Sequence, residues 1–160
     1  MICNISTIEI RLITLGRRTT RKHASAEELF AAYVERIGHY ARCKVENYAS
    51  EEKLFAALDR TANRTLPMLV ILDTRGKVWS TEAFAEWLRR QRDQGTQQLA
   101  FAIGPADGWS EAAHLRAGLV LSLGPMTLPH ELAAIVVAEQ IYRAFTIVEG
   151  HPYHLGHKSK

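Results

Sequence analysis

Cysteine is scarce in this chain, and neither sign of charge dominates it. Only Cys3 and Cys43 occur among 160 residues. They stand far apart, with no CxxC pair and no neighbouring histidine cluster, so neither a disulfide framework nor a zinc site is expected, and both thiols are expected to be reduced. The 20 lysines and arginines exceed the 17 acids by three, too small an excess to imply nucleic-acid binding by itself. No apolar run approaches the roughly 18–20 residues of a membrane span. The opening "MICNISTIEIRL" lacks the basic start, apolar middle and small-residue cleavage site of a secretory signal. These features lead to the expectation of a cytosolic protein with no membrane partner.

Several catalytic strings are missing too. GxGxxG after the first strand and GxxxxGK[ST] do not occur, which removes the dinucleotide-binding and P-loop readings. GxSxG is absent, and the seven histidines fall in neither an HExxH nor a CxxC…HxxxH pattern. No metal is expected.

What is present is enough apolar material, 47% of the residues, for one compact domain with a real core. "IEIRLITLG" alternates apolar and polar residues up to a glycine and predicts a strand ending in a turn. From Ser25, "SAEELFAAYVERIGHY" carries an N-cap serine, acids in its first turn and apolar residues at helical spacing. "KVENYA" is a weaker strand, and "SEEKLFAALDRTA" repeats the capped-helix pattern. "LPMLVILDTRG" is a continuous apolar run, as in a strand covered on both faces. "STEAFAEWLRRQRDQG" predicts a helix opened by Ser80 or Thr81 and closed by Gly95. "QQLAFAIGPADGW" is a buried strand entering a glycine-containing loop, "SEAAHLRAG" a short helix and "LVLSLG" another apolar strand. A long helix from about Pro129 to Val148 follows. This alternation indicates a single α/β domain with a mainly parallel central sheet.

Three strands therefore end in permissive loops, "LDTRGK", "GPADGW" and "LGPMTLPH". Ligands of open parallel sheets sit beyond the carboxyl ends of the strands, where helix N-termini direct amides into the crevice. A cleft of glycines, prolines and apolar side chains such as Leu72, Met126 and Leu128 suits a flat, partly apolar ligand of the adenosine kind. Ordinary core packing is the simpler account of those three side chains on the residues alone. Basic residues cluster at Arg17, Arg18, Arg21 and Lys22, and again at Lys158 and Lys160. Solvated surface explains such clusters unless folding brings the two together.

Taken together, "LDTRGK", "IGPADG", "LSLGPMTLPHELAAIVVAEQIYRAF" and "HPYH" resemble the ribosomal RNA large subunit methyltransferase H family of the SPOUT class. The resemblance runs from about Ile8 to His154. It implies a SPOUT-type α/β knot, in which the C-terminal segment threads through a loop, and it divides the chain into a 1–7 extension, an 8–154 methyltransferase domain and a basic 155–160 tail. It further implies a homodimer that methylates N3 of a pseudouridine in 23S rRNA of the ribosome, with S-adenosylmethionine as donor. Cofactor contacts then fall on Leu72, Gly104, Leu123, Gly124, Pro125, Met126, Thr127 and Leu128. Arg143 is assigned the charge that eases loss of the base's proton, or the holding of that base. Tyr153 and His154 help to place the target nucleotide, across the dimer interface. His130 stays a polar group at a helix start, and Glu139 is a secondary candidate for proton acceptor.

The stiff "LGPMTLPH" segment has a purpose in this scheme, since a chain that turns sharply to present backbone to a ligand needs residues that restrict or permit unusual dihedrals. Two positions depart from the family pattern. Pro105 stands where a second glycine is usual, so one amide donor is missing, and Gly124 stands where serine is usual. A catalytically silent RNA-binding or ribosome-assembly factor is the alternative that those departures raise. An α/β nucleotide-binding module without an RNA partner is a third reading.

Overall fold

The computed structural model describes residues 8–16, 23–61, 65–105 and 107–157. Both basic clusters named above, the 1–7 extension and Cys3 lie outside the described residues. Five strands, β1 (Glu9–Leu15), β2 (Arg42–Tyr48), β3 (Met68–Val78), β4 (Gln98–Ile103) and β5 (Leu119–Ser122), form one sheet in the order β2-β1-β4-β3-β5. Every neighbouring pair is parallel. Helices α1 (Ala24–Ile37), α2 (Glu51–Thr61), α3 (Thr81–Asp93), α4 (Glu111–Arg116) and α5 (His130–Val148) alternate with the strands, and a 3₁₀ helix (Pro152–His157) follows.

The period of two along each strand divides the core into two layers. On β4, Leu99 and Phe101 face the cluster built with α1, α3 and α5, whereas Ala100 and Ala102 face the smaller one under α2 and α4. The larger layer holds most of the aromatics: Phe101 meets Phe84 edge-on, with ring centroids 6.1 Å apart, and Phe84 stacks on Trp87 at 5.9 Å. Small alanines on the opposite face let α2 and α4 approach with Leu54, Leu58 and Ala113.

The alternation in β1 suggests a strand with one wet face, yet β1 lies between β2 and β4 and is buried on both faces. Its polar residues survive there because they are paired. The Arg11 guanidinium donates two bonds to Glu46, at 2.7 and 3.0 Å, and Tyr48 donates a third to the same carboxylate at 3.2 Å. A buried charge without such a partner would be expelled or neutralised; the bond to Glu46 instead raises the Arg11 pKa.

Two element boundaries also differ. Helix α1 begins before Ser25, at Ala24, with His23 as N-cap and no side-chain cap; the His23 carbonyl accepts from Ala26 and Glu27 instead. Strand β3 does not stop before "DTRGK". Its pairing with β5 breaks at Leu72 and resumes at Lys77 and Val78, so residues 73–76 form a bulge inside a longer strand. By contrast, Ser80 caps α3 as expected, accepting from the Ala83 amide at 3.1 Å, and Gly95 ends it with φ +82°. Cys43 is a free thiol, pushed by burial to a pKa of about 11 and so protonated at neutral pH. Among the described residues no helix is long and apolar enough to cross a membrane, and no cluster of ligating side chains could hold a metal ion.

Candidate functional site

The carboxyl ends of β3, β4 and β5 open into a cleft of about 770 Å3, within the ~300–1,000 Å3 range of small-molecule sites. Strand β3 supplies Leu72 and, from its bulge, Asp73 to Arg75, the loop after β4 supplies Gly104 and Trp109, and the segment after β5 supplies Leu123, Gly124 and 126–129. The first turn of α5 closes one side with His130 and Ala133. Its free amides make that side favourable for a carboxylate or another anion.

Core packing fails as an account of Met126, which is 81% exposed, and Leu123 is exposed as well. Apolar side chains held at the mouth of a concave site are suited to covering a ligand's apolar face. Leu72 is different: it is half-buried against the main core while also lining the cleft. Its carbonyl accepts a bond from the Trp109 indole at 3.0 Å, which ties the β3 end to the loop after β4. Gly124 adopts φ +126°, a conformation that side chains other than glycine's resist, and its amide donates to the Ser122 hydroxyl at 3.1 Å.

At the rim, the Asp73 carboxylate accepts from the Arg75 amide at 2.8 Å and from its guanidinium at 3.1 Å, with His114 Nε2 3.0 Å away. Arg75 chiefly holds this carboxyl below its ordinary pKa. Asp73 is thus a fixed negative charge, and its ion pair is lost only as pH falls below the usual carboxylate range.

A second cluster occupies the far end of α5. Glu139 Oε1 accepts from Arg143 Nη2 at 2.6 Å, Arg143 Nε at 2.8 Å and the Tyr153 hydroxyl at 3.2 Å. Gln140 donates to the other oxygen at 2.7 Å. Glu139 thus ties Arg143 and Tyr153 together through one oxygen and holds Gln140 through the other. The Glu139 bond raises the Arg143 pKa, and the guanidinium lies 4.8 Å from the centre of the Tyr153 ring. Burial, followed by a hydrogen bond with Tyr33, pushes the Tyr153 phenol up to about 12, so it stays neutral at physiological pH. His154 presents Nδ1 to Arg143 at 3.5 Å and Nε2 to Glu82 at 3.1 Å.

Residues 8–154 match the family model described as a predicted SPOUT methyltransferase. The ribosomal RNA large subunit methyltransferase H of Koribacter versatilis is 44% identical over 150 residues, covering 94% of this chain and all of that one. The protein of the same name from Rhizobium meliloti is 41% identical over 140 residues, 88% of each chain. The chain belongs to this SPOUT methyltransferase family. A probable methyltransferase from Bordetella pertussis shares the fold, with TM-score 0.56 at 13% identity over 88% of this chain and 96% of that one.

Within the family's fold, seven of the eight residues expected to contact cofactor line the cleft together; Pro125 does not, although its neighbours Gly124 and Met126 do. Arg143, Tyr153 and His154 meet one another but not the cleft. Arg143 lies thirteen positions along α5 from His130, ~20 Å at ~1.5 Å per residue. His130, expected to be structural, lines the cleft. Sequence reasoning missed Asp73, Arg75 and Trp109 as site residues, although each sits in a loop that it had singled out.

Trp109 also changes the account of Gly104. A Cβ at 104 would lie 2.6 Å from the Trp109 indole nitrogen, so the indole leaves no room for a side chain there. Trp109 is buried, so it would have to shift and release Leu72. Gly104→Ala should therefore lower stability by about 1–3 kcal/mol. Trp109→Phe, which keeps the ring and loses the bond, should cost about 1 kcal/mol. Thermal unfolding of both variants checks this, and a wild-type melting curve for Gly104→Ala would refute the Trp109 account. Pro105 lacks an amide, but its carbonyl accepts from Gly108 at 3.0 Å and closes the turn of this loop.

Proposed function

We propose that the protein transfers a methyl group from S-adenosylmethionine to N3 of a pseudouridine in 23S rRNA, acting as a cytoplasmic homodimer on the assembled ribosome. The observation that carries this reading is the cleft at the strand ends, lined by exposed Met126 and Leu123 together with the first turn of α5. That lining fits a ligand with a flat adenosine half and a charged amino-acid half. Leu72, Gly104, Leu123, Gly124, Met126, Thr127 and Leu128 would hold it, and Pro125 would shape the turn between them. When bound there, S-adenosylmethionine supplies an electrophilic methyl group.

The chain's own residues must then align the acceptor nitrogen at about 3–3.5 Å from the donor carbon and ease loss of its proton. N3–H of pseudouridine is a weak imide acid. Arg143, kept cationic and aimed by Glu139, stabilises the anion that develops on the base. Tyr153 offers a neutral ring face for the base, and His154 fixes the other side of Arg143. Two subunits with antiparallel α5 helices close the ~20 Å gap, setting the Arg143 cluster of one over the cleft of the other. Leu132, 44% exposed on α5 near that cleft, is suited to burial in such a pairing. Threading of the tail through a loop, and the division into a 1–7 extension, an 8–154 domain and a 155–160 tail, belong to the same proposal.

Two measurements test it. Mass mapping of 23S rRNA from cells lacking the gene should show loss of one methyl from a pseudouridine, and an unchanged modification pattern would refute the reaction. Calorimetry with S-adenosylmethionine should show binding to the purified protein. Absence of heat would favour a silent RNA-binding factor, for which Pro105 supplies the structural reason, a missing amide donor.

A further inference from the structure

Arg36, in the last turn of α1, is exposed and has no carboxylate partner among the described residues. Its neighbour in sequence, Glu35, points elsewhere on the helix surface, because residues one apart do not share a face. Yet Arg36 is not a loose surface cation. Its guanidinium carbon lies 5.3 Å from the centre of the Tyr33 ring and 5.7 Å from that of Tyr142. Tyr142 in turn meets Tyr153 edge-on at 4.7 Å, and Tyr153 carries Arg143 at 4.8 Å. A tier of three tyrosines thus separates two arginines: Arg143, paired with Glu139, and Arg36, which has no carboxylate partner among the described residues.

A guanidinium held over aromatic rings and left without a carboxylate keeps N–H donors for a phosphate, which arginine takes through two parallel bonds. We propose that Arg36, held by Tyr33 and Tyr142, binds an RNA phosphate beside the target nucleotide and positions the strand relative to Arg143. This rests on the function proposed above and adds a contact to the backbone rather than to the reacting base. A phosphate contact contributes affinity and register, and it releases counterions, so its loss has a signature that loss of packing lacks.

The test measures methylation of ribosomes purified from cells lacking the gene, by wild type, Arg36→Ala and Arg36→Gln, across a range of KCl concentrations. Arg36→Gln keeps the stem over the tyrosines without the charge. Both variants should raise KM for ribosomes several-fold with little change in kcat. Both should also flatten the dependence of log(kcat/KM) on log salt by about 0.7–0.9, the share of one phosphate. Arg36→Lys should restore most of the salt dependence. An unchanged slope and KM in Arg36→Gln would overturn the proposal, as would a KM increase explained by loss of the dimer on gel filtration. Wild-type enzyme that fails to methylate these ribosomes would bring down the proposed function and this subsite together. Active wild type with unaffected variants would remove the subsite alone.

Discussion

Arg143→Ala should lower kcat for methyl transfer about 100- to 1,000-fold, the range seen when one stabilising donor is removed from a charge-developing site, while the protein remains folded. The separation of the two effects follows from the contacts. Arg143 forms an i,i+4 pair with Glu139 on a half-buried face of α5, and such pairs contribute only ~0.3–0.5 kcal/mol to stability. Glu139 would keep its bonds from Tyr153 and Gln140, so its carboxylate is not left bare. Arg143→Lys should be intermediate, because it retains charge but loses the fork that Glu139 aims. Turnover assays beside thermal unfolding check this, and wild-type turnover in Arg143→Ala would return the residue to a plain surface ion pair.

Gly76→Ala should be the more damaging change to the fold. A Cβ at Gly76 would lie 2.7 Å from the Val120 carbonyl carbon and oxygen and 2.8 Å from Leu121 C. These are backbone atoms of β5, which cannot rotate aside as a side chain can. The strands must separate where β3 leaves its bulge and resumes pairing at Lys77. Overpacking of this kind costs ~1–3 kcal/mol when side chains can yield, so a backbone obstacle places the expected loss at about 3 kcal/mol or more. For a domain of this size that is a fall in Tm of roughly 6–12 °C. Because Asp73 to Arg75 belong to the same bulge and line the cleft, the variant should also bind S-adenosylmethionine more weakly. A Tm within 2 °C of wild type, on the same order-of-magnitude scale, would show that the strands are not held as close as described.

The two predictions differ in how far they were legible beforehand. Arg143 stands in "EQIYRAF" upstream of "HPYH", and its role is assigned by the resemblance those strings carry. Gly76 was not found, since "TRGK" looks like any glycine-containing turn. Its constraint comes from Val120, forty-four positions away in the chain, and no local window contains both. Trp109 and Gly104 show the same limit at short range: both lie in one loop that was recognised, but the indole's bond to Leu72 depends on how β3 and β4 pair.

Apolar runs, caps and glycines were enough to specify an alternating α/β chain, the strands that would be buried and the three loops that gather at their ends. Those are properties of neighbours in sequence, where period, turn chemistry and helix initiation act over a few residues. Folding alone settled the order β2-β1-β4-β3-β5, the paired burial of Arg11 inside β1, and the ~20 Å that separates the cleft from Arg143. Each of these arises from which distant surfaces exclude water together. That choice is made by the whole set of apolar faces competing at once, so it has no signature in any single stretch of the chain.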